Sequence, residues 1–131
     1  MKKYSDLPDT KLQLDIELEL VGDPKFSLQV GPCTDYQSTY YLDLLTPFSI
    51  IIELHNKVYT TEYETAVIIK RLSIDNISII PEYTHLAQYD NDHGFTDPTN
   101  YIGFNGKWAL TINRPFYQWL HQARSQGWLI G

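Results

Sequence analysis

The sequence predicts an all-β fold: a β-sandwich or jelly roll of seven to nine short, mostly antiparallel strands, with at most one short helix near 115–122. Three observations carry this. Apolar and polar residues alternate with period two in several segments, which marks strands with one wet face. Two β-branched runs have the length of buried central strands. Turn residues (Gly, Pro, Asp, Asn) separate these segments at short intervals.

The elements follow in chain order. Leu12, Leu14, Ile16, Leu18 and Leu20 alternate with Gln13, Asp15, Glu17 and Glu19, a first strand stopped by Gly22-Asp23-Pro24. Phe26, Leu28 and Val30 repeat the alternation before Gly31-Pro32. The stretch 36–45 (YQSTYYLDLL) reads as strand or irregular loop. The runs 48–54 (FSIIIEL) and 65–72 (TAVIIKRL) read as central strands. Between Ile74 and Ile77, Asp75-Asn76 suits a two-residue hairpin, because both tolerate positive φ. That places Ile74 opposite Ile77 and Leu72 opposite Ile79; a bulge is the competing explanation. Residues 82–89 suggest a further strand, 90–100 a polar loop, and 107–113 a strand with Trp108, Leu110 and Ile112 inward. At 115–122 (PFYQWLHQ), Phe116, Trp119 and Leu120 share a helical face, Asn113 is the expected cap and Gly127 the expected stop. A terminal β-segment is expected over 128–130.

The 131 residues suit one domain, 1–131, able to bury roughly two-thirds of its unfolded surface. The formal net charge of −6 and the scattered basic residues argue against nucleic acid or an anionic membrane as partner. The longest apolar block is far short of the ~20 residues that a spanning helix needs. The single cysteine, Cys33, forms no internal disulfide and has no catalytic motif around it. The N-terminus lacks the apolar run of a signal peptide, so a soluble protein made in the cytoplasm is expected.

No catalytic residue is predicted: there is no nucleophile elbow and no phosphate-binding glycine loop. Asp15, Glu17 and Glu19 share one strand face and read as a solvated surface that discourages edge pairing. Asp90, Asp92 and Asp97 are the metal candidates, and calcium the one cofactor considered. Against calcium, the spacing lacks a third oxygen ligand in place and a terminal bidentate Glu. His85, His93 and His121 show no ligand spacing.

Ten tyrosines are unusual for this length. Tyr suits a surface that must be apolar and hydrogen-bonding together. Tyr40, Tyr41, Tyr117, Trp119 and Trp128 are the candidate anchors of a protein contact. Tyr36, Tyr40, Tyr41, Tyr89 and Tyr101, with Asn91, Asp92 and Asn100, are candidates for stacking and reading a sugar.

The segments IDNISIIPEY (74–83), YIGFNGKW (101–108), PFYQWLH (115–121) and QGWLI (126–130) resemble a group of small single-domain proteins of tailed phages of marine bacteria. The similarity covers roughly the C-terminal half and brings no catalytic residue with it. It implies a phage setting, and with it a virion part such as a head decoration, tail or fibre protein. The expectation is therefore a non-catalytic assembly module of the virion, made in the host cytoplasm, whose partners are itself or other virion proteins. The alternative is a carbohydrate-binding module, calcium-assisted through the aspartates.

Overall fold

A computed structural model describes residues 11–58, 62, 64–92 and 99–130, with side chains described as far as Arg124. Its strands are β1 (Lys11–Val21), β2 (Lys25–Val30), β3 (Thr39–Asp43), β4 (Phe48–His55), β5 (Ala66–Ile74), β6 (Ile77–Ile80), β7 (Gln88–Asn91), β8 (Tyr101–Ile102) and β9 (Gly106–Ile112). A helix follows, α1 (Phe116–Ile130). The first sheet runs β3-β1-β5-β6, with β8 also pairing β5, and the second runs β2-β4-β9-β7. Every strand pairing among the described residues is antiparallel. The all-β sandwich is therefore as predicted. None of the described helices is long and apolar enough to cross a membrane.

The alternation works as expected where the ladder is regular. Leu12, Leu14 and Ile16 of β1 face Ile50, Ile52 and Leu54 of β4 and Trp108, Leu110 and Ile112 of β9 in a single buried cluster. Leu28, Val30, Tyr40 and Leu42 join it from the other strands. Burying each large aliphatic side chain contributes about 1.5–3 kcal/mol. Trp108 is the largest fully buried side chain, and its indole N–H donates to the Thr99 carbonyl at 2.6 Å.

Two bulges explain where the alternation fails. Glu17 pairs with Arg71 but Leu18 pairs with Ile69, so Lys70 is the extra residue on β5. Beyond this bulge the inward positions drift, and Leu20 is 50% exposed instead of buried. The hairpin at Asp75 (φ 51°) and Asn76 (φ 65°) forms as predicted, with Ile74 opposite Ile77. A bulge then pairs Leu72 with Ile80, not with Ile79, and both isoleucines are buried. Hairpin and bulge, posed as alternatives, occur together.

Three other expectations are corrected. Residues 82–89 are not one strand: Thr84–Leu86 forms a 3-10 turn, held by the Thr84 hydroxyl and the Thr84 N–H on the Pro81 carbonyl, and β7 starts only at Gln88. Asn113 does not cap α1, because the Pro115 carbonyl accepts the first helical bond, from Trp119 N–H at 3.0 Å. Gly127 does not stop the helix, which runs on through Trp128 to Ile130 in place of the expected β-segment. A single glycine weakens a helix by about 1 kcal/mol without ending it. The predicted helical face holds: Phe116, Trp119, Leu120 and Ala123 are buried. It closes the end of the sandwich that bears the β5–β6 turn, with Trp119 edge-on to Tyr83 at 5.8 Å between ring centres.

Candidate functional site: the free edge of β3

The tyrosines divide by what their hydroxyls do. Tyr40 lies in the core; its hydroxyl donates to the Asp35 carbonyl and accepts from the Gln37 N–H, both at 2.8 Å. This ties the 31–38 crossover down to the sandwich. Tyr89 is also buried, and its hydroxyl donates to the Phe104 carbonyl and accepts from the Phe104 N–H. Tyr101 donates to Glu64 Oε2 and Tyr117 to Asp75 Oδ2, each at 2.9 Å. A Tyr ring filling the interior while its oxygen holds a loop satisfies both halves of the side chain.

Burial corrects three of the expected contact residues. Tyr40, Tyr89 and Trp119 are interior and present no outer surface. Tyr101 and Tyr117 are exposed, but their hydroxyls are committed. The side chain of Trp128 lies outside the described residues. Tyr36 and Tyr41 remain, 53% and 64% exposed, with no hydroxyl partner among the described residues. Both flank or lie on β3. Leu45, just past the strand, is 64% exposed and was not singled out by any sequence signal.

A depression of about 480 Å³ opens beside Tyr41, between the β3 edge of one sheet and β2 and β4 of the other. Pro47, Phe48 and Ile51 form its apolar part, and Gln29, Asp43 and Ser49 its polar part. The position of Tyr41 follows from the pleat: in Tyr40-Tyr41-Leu42, burial of Tyr40 and Leu42 turns Tyr41 outward.

A polar cluster at the β4 end of the second sheet was not foreseen. The Lys57 ammonium, 5% exposed, donates to Glu64 Oε1 at 2.5 Å, to the Thr65 carbonyl at 2.7 Å and to the Gly103 carbonyl at 2.6 Å. The Asn105 side-chain amide holds the Lys57 backbone from both sides, at 2.8 and 2.9 Å. The hydrogen bond from Lys57, then that from Tyr101, holds the Glu64 carboxyl below its ordinary range. Burial, then the bond to Glu64, raises the Tyr101 phenol. With an acceptor for each of its three donors among the described residues, the Lys57 ammonium is a strut between loops.

Of the metal candidates, Asp90 lies on β7 opposite Lys107, and the Asp92 N–H donates to the Asn105 carbonyl at 2.9 Å. Asp97 and His93 lie outside the described residues. Among the described residues, no group of three or more His, Cys, Asp or Glu is placed to hold a metal ion. Asp15 accepts from the Thr39 hydroxyl at 2.7 Å on the outer face of the first sheet.

No family model matches the chain, and neither a curated protein nor a solved structure matches it.

Proposed function

We propose that the chain is a non-catalytic assembly module that works through protein–protein contact, with the β3 edge as its contact surface. The observation that carries this is the sorting of the tyrosines. Four have hydroxyls tied to the chain's own loops or carboxylates, whereas Tyr36, before β3, and Tyr41, on it, are exposed, as is Leu45 just past its end. An exposed aromatic on an edge strand, with Gln29, Asp43 and Ser49 beside it, has the composition of a contact anchor. The partners are copies of the chain or other virion proteins. The virion setting rests on the resemblance of the C-terminal half to small phage proteins.

Sedimentation of the purified chain across the micromolar range tests the contact. Association weakened by Tyr41→Lys is expected; a monomer that binds no virion component counts against the proposal. Mass spectrometry of purified particles tests the setting, and absence of the chain from them refutes it.

The Tyr41 depression favours a second reading, a sugar site. An aromatic ring beside Gln29, Asp43 and Ser49 offers a stacking face and hydroxyl-reading groups. A glycan array with wild type and Tyr41→Ala decides: binding lost in the variant supports it, and no binding by wild type removes it. Calcium at Asp90 and Asp92 would not assist that sugar, since β7 and β2 are opposite edges of their sheet.

A further inference from the structure

We infer that two copies of this chain join edge to edge through β3, antiparallel, with Tyr41 on the two-fold axis. This rests on the assembly reading above and specifies its geometry.

The backbone of β1 shows which way β3 points. The Gln13 N–H donates to Asp75 Oδ1 and the Gln13 carbonyl accepts from the Asp75 N–H, both at 2.8 Å. Gln13 therefore turns its backbone groups toward β5. The Ile16 N–H donates to the Ser38 carbonyl at 3.0 Å, so Ile16 turns toward the β3 side. Backbone direction alternates along a strand. The rungs between β1 and β3 are thus Leu12 with Leu42 and Leu14 with Tyr40. Thr39, Tyr41 and Asp43 face Asp15, Gln13 and Lys11, and direct their own N–H and C=O away from β1. β3 ends its sheet, and no described strand pairs with that side. Of the outward groups, only the Asp43 carbonyl has a backbone partner among the described residues, the Thr46 N–H at a long 3.5 Å.

An edge with free donors and acceptors is a template for another strand. This one is self-complementary. Tyr41 is the middle of a five-residue strand, so a two-fold axis there is the antiparallel register that pairs the whole of it. Tyr41 then exchanges N–H···O=C bonds with Tyr41 of the second copy, and Thr39 does so with Asp43 of the second copy. On the outer face the two Tyr41 rings form a cross-strand aromatic pair, and Asp43 meets an uncharged Thr39. That carboxylate accepts from the Leu45 N–H of its own chain at 2.8 Å, and Lys11 lies opposite it on β1. A register centred on Asp43 would instead oppose two carboxylates, which is destabilising.

Two variants test the seam. Tyr41→Pro removes an outward N–H that β1 does not use, a change edge strands tolerate. Tyr41→Cys in a Cys33→Ser background places two thiols about 5.5 Å apart by Cα, within disulfide reach. The expected results are a wild-type dimer in sedimentation, a monomeric Tyr41→Pro with unchanged circular dichroism, and rapid cross-linking of Tyr41→Cys but not of Val58→Cys, which is the more exposed of the two. Should Tyr41→Pro fail to fold, the cross-link decides alone. A wild type that stays monomeric at every concentration overturns self-assembly itself. An oligomer that ignores Tyr41→Pro and gives no Tyr41→Cys cross-link overturns this seam and leaves the assembly reading standing.

Discussion

Replacing Lys57 by Met tests whether the buried ammonium is the strut described above. Methionine keeps most of the aliphatic stem and removes the charge and its three hydrogen bonds. The Thr65 and Gly103 carbonyls lose their donor, and each buried polar group left short costs about 1–3 kcal/mol. Glu64 is half exposed and returns to water, so its lost ion pair adds only about 0–1 kcal/mol. The sum is about 2–7 kcal/mol, and about 3 kcal/mol is expected because both carbonyl bonds are only part-buried. For a domain of this size, each kcal/mol moves Tm by about 3–4 °C, which gives a fall of about 10 °C. Urea unfolding followed by tryptophan fluorescence is the assay, because Trp108 is fully buried. Lys70→Met is the comparison: Lys70 meets Glu17 at 3.7 Å with both side chains half exposed, and its loss is expected to cost less than about 0.5 kcal/mol. If Lys57→Met is no more destabilising than Lys70→Met, the strut is refuted.

The Glu64 carboxyl is held below its ordinary range in the folded chain, so its contribution is present above about pH 4.3 and fades as pH falls through the folded value. The Tm difference between wild type and Glu64→Gln, measured from neutral to acid pH, is expected to shrink accordingly; a difference constant with pH contradicts this. The Tyr117 phenol is raised, first by burial and then by Asp75, so its contribution is complete below about pH 10 and lost as pH rises through the folded value. Tyr117→Phe is therefore expected to lower Tm at neutral pH and to lose less stability than wild type in alkali; parallel alkaline curves refute it. Gly106 sits at φ +154°, where an added Cβ meets the Asp90 carbonyl oxygen at 2.2 Å and Asn91 Cα at 2.5 Å. Gly106→Ala is expected to cost about 2–4 kcal/mol in urea unfolding by forcing β7 from β9; a change under about 0.5 kcal/mol means that the two strands do not approach this closely.

The hydrophobic alternation made β2 and β9 legible in the sequence, a β-branched run did so for β4, and the i, i+3, i+4 spacing for the buried face of α1. What periodicity misses is a single extra residue. The bulge at Lys70 leaves only a faint trace, two adjacent exposed cations inside an apolar run. The bulge at Ile79 leaves none, since Ile79 and Ile80 are both isoleucines and either could take the inward place. The Lys57 cluster joins residues 7, 8 and 46 positions away, which no local pattern encodes. The tyrosines were ambiguous because one side chain suits both a core and a surface, and only the fold decides which loop its oxygen reaches. The exception is the pair Tyr40-Tyr41. Adjacent residues of one strand face opposite sides, so one of the two had to look outward.

Amide hydrogen exchange along β3 at rising protein concentration tests the contact edge most directly. The Tyr40 and Leu42 amides, bonded to β1, should exchange slowly at every concentration. The Thr39 and Tyr41 amides should pass from fast exchange in dilute solution to protection when concentrated. Fast exchange of the Tyr41 amide throughout, with other surfaces becoming protected, would contradict the assignment of this edge.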